Sequence, residues 1–390
     1  MTVLHINTND KGGAANACIR IHEELLRQGV KSRMLFLNKS KDNIPHAHYF
    51  NKKLSFFRRV ELKLKSIFFK NIDIRTTYDV EWFSFPKTNY DITTHFLYKE
   101  ADIIQLNWVS GFLDEPSFFK KNVKPVVWRM PDLYCCGAGY HYEKNFPTER
   151  LRTVLNKNFA IRKKVFKKAN IHFVAISNWV YQKAQESELI NSFPKSIIHN
   201  GLDLSKFKPV EKVEARKLLN LPQDKTILLL GADQINTKRK GFFDALEAID
   251  MLEHKGLQPV VFGKTKTSLS SQIINLGYID SLDKLIQIYS ASDVFLMPSI
   301  EEAFGQVTIE ALSCGIPVVS YPNGGSLDII RNGQNGEIAN DFSVKALSTA
   351  LRKALYTNYD SEVIIEDIKI RFDIKDKVKE YIEVYNNFQK

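Results

Sequence analysis

Hydrophobic positions along the chain fall into short apolar runs separated by amphipathic stretches. Val3-Leu4-His5-Ile6-Asn7 is the first run, residues 16–27 have helical period and stop at Gly29, and residues 30–37 are apolar again. Strand, helix, strand in that order begins a doubly wound parallel sheet. Further strands are expected at 101–108, 124–130 and 171–176, with a strand and turn over 196–203. A basic helix is expected over 162–168, and Ser177-Asn178-Trp179 reads as a helix start. A second series opens with a strand at 226–232. It continues with a helix at 242–252, a strand at 259–263, a helix at 282–289 and a strand at 293–298. Residues 377–388 have helical period.

The densest signal is Ser299-Ile300-Glu301-Glu302-Ala303-Phe304-Gly305-Gln306-Val307-Thr308-Ile309-Glu310-Ala311-Leu312-Ser313-Cys314-Gly315-Ile316-Pro317-Val318-Val319. It predicts a loop after a buried strand, a helix from Gln306 that Gly315 ends, and another buried strand. A helix N-terminus at the carboxyl end of a strand collects free N–H groups and the positive end of the helix dipole, which suits an anion. Glu302 and Glu310 flank that point. Carboxylates accept hydrogen bonds from hydroxyl groups and do not bind phosphate. A diphosphate on the helix end with sugar hydroxyls on either side describes a nucleotide sugar. Upstream, Lys238-Arg239-Lys240-Gly241 places cations before the helix at 242–252, as a diphosphate clamp would.

Glu302 to Glu310, with Phe304-Gly305 inside and Glu310-Ala311-Leu312-Ser313-Cys314-Gly315-Ile316-Pro317-Val318-Val319 following, resembles the E-x7-E signature of retaining GT-B glycosyltransferases. The nearest likeness is to the group-1 family of bacterial polysaccharide and lipopolysaccharide synthesis, glycosyltransferase family 4. The resemblance implies two doubly wound Rossmann-like α/β domains facing across a cleft. Residues 1–205 would form the acceptor-side domain, with the helix at 375–390 packing back on it. Residues 206–374 would bind the donor, after a linker near Phe207-Lys208-Pro209. It also implies that Glu302 lies near the transferred sugar, Glu310 binds the ribose, and Lys240 binds the diphosphate. Arg239, Phe304, Gly305, Gln306 and Val307 join this donor set, and Gly12 and Gly13 match a glycine loop after the first strand. Gly277-Tyr278-Ile279 falls where the family packs on the base, and Asn323-Gly324-Gly325-Ser326 reads as a second glycine loop.

The chain departs from the family pattern in three places. Pro131 stands where a cleft histidine is usual, although Asp132, His141 and Tyr142 match. Gln105 and Asn107 occupy positions where relatives carry histidines, and Ala232 replaces an arginine. Asp132 is therefore the nearest candidate for the acceptor-side catalytic group, beside a plain reading in which it caps a turn.

At 390 residues with 44% hydrophobic content, the chain is long enough for two domains with real cores. The four cysteines (Cys18, Cys135, Cys136, Cys314) have no metal spacing, and two are adjacent, which fits a reducing cytoplasm. No apolar run reaches membrane-span length, and Met1-Thr2-Val3-Leu4 enters a strand without signal-peptide character. The formal charge of +11 calls for an anionic partner. Residues 52–70 mix Lys52, Lys53, Arg58, Arg59, Lys63, Lys65 and Lys70 with Phe56, Phe57, Phe68 and Phe69. Such a segment suits an anionic membrane surface, so a peripheral position on the inner face of the membrane is expected, beside a plain reading as a solvated helix whose aromatics pack on the domain. No nucleic-acid module is present to favour that partner.

The expected activity is transfer of a sugar, of the hexosyltransferase type, from a nucleotide diphosphate sugar to a glycan or lipid-linked hydroxyl, with no metal or other cofactor. Two alternatives stand beside it. A UDP-amino-sugar epimerase of the same fold would change the donor alone. A catalytically silent nucleotide-sugar-binding protein would keep only the donor half.

Overall fold

Thirteen parallel strands among the described residues build two sheets. The computed structural model describes residues 1–50, 74–78, 80–252, 254, 256–265 and 269–388. The basic aromatic segment at 52–70 lies outside this description.

The first sheet contains β1 (Thr2–Asn9), β2 (Lys31–Asn38), β3 (Ala47–Tyr49), β4 (Ile103–Leu106), β5 (Val126–Met130), β6 (Ile171–Ala175) and β7 (Lys195–Ile197). Their order is β3-β2-β1-β4-β5-β6-β7, and every pairing is parallel. The chain therefore winds one way from β1 and the other way from β4. All positions of β4 and β5 are buried, which is why their sequences lack the alternation of a half-exposed strand.

The second sheet contains β8 (Thr226–Gln234), β9 (Leu257–Lys264), β10 (Ile274–Asn275), β11 (Val294–Met297), β12 (Val318–Ser320) and β13 (Gly336–Ile338). Its order is β10-β9-β8-β11-β12-β13, again all parallel, with the reversal between β8 and β11. Leu228, Leu230, Val261, Leu296 and Val319 meet Phe242, Leu347 and Leu351 from the covering helices in one apolar core.

The chain divides into two units. The first holds Met1–Ala175, Val180–Ile197 and Glu383–Lys390; the second holds Ile176–Trp179 and Ile198–Ile382. This differs from a boundary at 205. Asp328 explains part of the difference, because it accepts from the backbone N–H of Asn178 at 2.7 Å and pairs with His199 at 3.0 Å. Phe207, expected in the linker, is buried. Of the last helix, Ile374–Asn386, only the end from Glu383 groups with the first unit.

Two other expectations change. The helix expected at 162–168 starts much earlier and runs Thr148–Phe166. Asn323-Gly324-Gly325-Ser326 is the start of a helix, Gly324–Ile329, in which the Asn323 side chain accepts from Ser326 N–H.

Candidate functional site

In the second unit the loops leaving β8 and β11 meet at the reversal of strand order, the place where open α/β sheets bind ligands. The loop after β8 ends in a tight turn, Lys238–Lys240, and Gly241 then starts helix Phe242–Asp250. Gly241 has φ +63°, and a Cβ there would lie 2.0 Å from the carbonyl oxygen of Pro298. Only glycine lets this loop rest on the end of β11. The close approach brings Lys240 Nζ to 2.6 Å from Glu302 Oε2. Arg239 donates to the Glu301 carbonyl at 2.8 Å and lies 3.5 Å from Glu302.

Glu302 is 14% exposed. Burial by itself would raise its pKa, but the charges of Lys240 and Arg239 outweigh that and hold the carboxyl below the usual glutamate range. The cations and the carboxylate thus arrive as one coupled cluster.

Helix Gln306–Ser313 begins beside this cluster at Gly305, whose φ is +93° and which offers no side chain to the first-turn N–H groups. A recess bounded by Gly231, Ala232, Lys240, Pro298, Ser299 and Val307 lies at the same place. Gln306 and Val307 are half-buried. The Phe304 ring is not part of this surface. It is buried, 5.9 Å from the His199 ring and 5.8 Å from Phe372, so Phe304 can serve a ligand only through its backbone. Glu310 is on the helix, 7% exposed, with the Tyr289 hydroxyl 3.4 Å from its Oε2. Tyr278 is half-exposed beyond β9, and Lys264 Nζ stands 4.3 Å above its ring.

The candidates of the first unit occupy separate places. Gly12, with φ +94°, precedes helix Gly13–Arg27. A Cβ at Gly12 or Gly13 would meet nothing within 4 Å, so space is open above this turn. Asp10 ties the turn to the segment after β2 by accepting from Ser40 N–H at 2.7 Å and Lys41 N–H at 2.8 Å.

Asp132 follows β5 and is 5% exposed. Its Oδ1 accepts from Tyr134 N–H at 2.9 Å, and its Oδ2 lies 2.6 Å from His141 Nδ1. Trp108 Nε1 donates to the same Oδ2 at 3.1 Å. Both carboxylate oxygens are therefore engaged, and the turn-capping reading is realised in full. Gln105 and Asn107 are buried and hydrogen-bonded to each other at 3.4 Å, with the Tyr385 hydroxyl on Gln105.

Residues that the sequence did not single out hold this loop. Arg162 Nε donates to Glu115 Oε2 at 3.0 Å, and its Nη1 donates to the carbonyls of Tyr134 and Gly137. Tyr134 donates its hydroxyl to Glu115 at 2.7 Å, and Asn158 Nδ2 donates to Ala138 at 2.9 Å. Ser84 Oγ lies 2.7 Å from His141 Nε2. Nothing local marks these residues; Arg162 read only as one cation of a basic helix. Among the described residues, no group of three His, Cys, Asp or Glu side chains is gathered as a cation site.

Residues 212–370 match the family described as glycosyl transferases group 1. A D-inositol 3-phosphate glycosyltransferase of Streptomyces bingchenggensis is 30% identical over 170 residues, 36% of this chain and 35% of that protein. One from Acidothermus cellulolyticus is 24% identical over 212 residues, 49% of this chain and 47% of that protein. The chain thus spans between a third and a half of the length of these curated relatives. Among solved structures, sucrose-phosphate synthase from Thermosynechococcus elongatus aligns with TM-score 0.71 at 17% identity, over 99% of this chain and 98% of that one. Anabaena HepE in complex with UDP-glucose aligns with TM-score 0.70 at 16% identity, over 99% and 100%. The fold is that of GT-B glycosyltransferase structures, with two parallel-sheet Rossmann-like units.

Proposed function

We propose that the chain is a glycosyltransferase that moves a sugar from a nucleotide diphosphate sugar to an acceptor hydroxyl. The observation that carries this reading is the Lys240–Glu302 pair at the strand reversal of the second unit, beside the glycine-started helix of the E-x7-E stretch. Lys240, Arg239 and the backbone of Gly305, Gln306 and Val307 would meet the diphosphate and the charge that develops on it as it leaves. Glu302 would face the transferred sugar, and Glu310 the ribose hydroxyls. Gly12 and Gly13 would allow close approach of a ligand to backbone. These cations supply the positive charge that a metal supplies elsewhere, so the reading is metal-independent. Asp132 would act through His141, holding it in place.

A nucleotide donor is supported by the HepE complex with UDP-glucose and by the family match over 212–370. Retention of configuration and membership of family 4 are proposed from the E-x7-E stretch. A role in surface polysaccharide synthesis is supported by the fold shared with WaaG, a glycosyltransferase involved in lipopolysaccharide biosynthesis (TM-score 0.60). A thermal-shift series with UDP, GDP and their sugars tests the reading. A bound nucleotide at ~100 times its dissociation constant adds ~2.7 kcal/mol, and no stabilisation by any of them would end the proposal.

If Glu310 holds the ribose, Glu310→Ala leaves ligand hydroxyls unpaired and is expected to cost roughly 1–3 kcal/mol of nucleotide binding. Calorimetry with free nucleotide reads this directly, and an unchanged affinity in a folded variant removes the assignment.

We further propose a peripheral position on the inner face of an anionic membrane, where a lipid-linked acceptor would be met. No helix among the described residues is long and apolar enough to cross a membrane. The proposal rests on the composition of 52–70, where each cation near an anionic surface contributes up to ~1 kcal/mol. Vesicle binding should require anionic lipid and weaken with salt, and replacing Arg58, Arg59, Lys63 and Lys65 with Ser should release the protein. Cosedimentation that shows no anionic-lipid binding at low salt would overturn it.

A further inference from the structure

Beside Asp132 and His141, the first unit has a depression bordered by Ser84, Phe85, Lys87, Asn89, Tyr90 and Ser110. It is an open depression with a cavity volume of ≈ 310 Å³, at the lower end of the ~300–1,000 Å³ of small-molecule sites. Its inner wall is built by a close contact. Ser84 N–H donates to the Gly139 carbonyl at 2.8 Å, and a Cβ on Gly139 would stand 2.6 Å from the Phe83 ring. The 131–142 loop thus fixes Ser84 at the back of the depression.

The proton positions around Ser84 follow from the chemistry of its neighbours. Asp132 Oδ2 only accepts, so His141 Nδ1, 2.6 Å away, carries the hydrogen. In the neutral imidazole His141 Nε2 is a lone pair, and the Ser84 hydroxyl at 2.7 Å donates to it. Ser84 has no second proton, so its Oγ presents only lone pairs on its other sides. Ser110 Oγ lies against one of these as the donor. Ser84 is 3% exposed and lines the depression, so one lone pair is left that an O–H there would meet. The outer wall is aromatic: Phe85 is 49% exposed and packs edge-on against Phe83.

We propose that this depression binds a pyranose ring, with a ring hydroxyl donating to Ser84 and the apolar ring face lying on Phe85. Hydroxyl-accepting groups at the back and a flat apolar surface at the mouth are what a sugar ring matches. The Ser84–His141–Asp132 line is the positioning network of this site, and Lys87 and Asn89 supply polar groups at its rim. As the acceptor side of a transferase, the site rests on the proposed function; as a sugar site, it does not.

Saturation-transfer NMR on the full chain with methyl α-glucoside, methyl β-galactoside and methyl α-mannoside tests it, with UDP stabilisation measured in parallel. At least one glycoside should receive saturation. Phe85→Ala and Ser84→Ala should each weaken its apparent affinity roughly threefold to tenfold, while the UDP response stays unchanged. Phe85 is exposed, so its variant tests the site even if Ser84→Ala fails to fold. No saturation of any glycoside, or undiminished saturation in Phe85→Ala, overturns the proposal. Glycoside binding that depends on Phe85 without any nucleotide response upholds the sugar site and removes the transferase reading instead.

Discussion

Replacing Arg162 with alanine is expected to lower the unfolding free energy by about 3–5 kcal/mol, because it strands a buried carboxylate. Arg162 and Glu115 are both fully buried and 3.0 Å apart. Burial of the guanidinium favours its neutral form, but Glu115 and then Tyr134 outweigh burial and hold its pKa above the ordinary arginine value. The guanidinium also lies 4.5 Å from the Tyr134 ring centroid and binds the Tyr134 and Gly137 carbonyls. Its loss therefore releases the 131–142 loop as well as unpairing Glu115. The double variant Glu115→Leu/Arg162→Met removes both charges and should recover much of the stability, since a buried pair can be replaced by apolar side chains at little cost. Urea melts of the three proteins decide the matter. A single-variant loss below ~1 kcal/mol would mean that water reaches and solvates the remaining carboxylate.

Lys240→Ala is expected to weaken binding of free nucleotide diphosphate and intact donor by roughly 1.5–3 kcal/mol, the range for hydrogen bonds to charged groups. Glu302→Ala should leave free nucleotide binding nearly intact and reduce turnover, because its proposed partner is the sugar. The 2.6 Å ion pair joins these two effects. Each single variant releases the other residue, so the double variant should depart from additivity by about 0.5–3 kcal/mol. Calorimetry on all four proteins closes the cycle. Strict additivity, or equal losses of free-nucleotide affinity in both single variants, contradicts the proposed division of roles.

The same pair sets an acid limit. Glu302 has a folded-state pKa held below its unfolded value, so its contribution to stability is present above the ordinary glutamate range. It is lost as pH falls through the depressed folded value. With Lys240→Met only Arg239 remains to hold the carboxyl down, and the acid loss should move upward in pH. Unfolding curves at a series of acidic pH values test this, and an unshifted acid limb would show that Lys240 does not stabilise the ionised form.

The parallel sheets, the loop–helix stretch from Glu302 to Glu310 and the cations before Gly241 were legible in the sequence because each is a local pattern. Strands buried on both faces must read as unbroken apolar runs, and a turn with positive φ selects glycine at Gly241 and Gly305. Tertiary structure alone decided what those parts touch. Ser84 and His141 are 57 positions apart, and Glu115 and Arg162 are 47 apart, so no periodicity connects them. Phe304 sits within the signature yet turns its ring into the core, because His199 and Phe372 pack there. The unit boundary moved for a similar reason: Asp328 binds Asn178 and His199 from a distant helix. Spacing along the chain reports which backbone forms. Which side chains are buried together, and so which charges and protons are fixed, follows from how the elements pack.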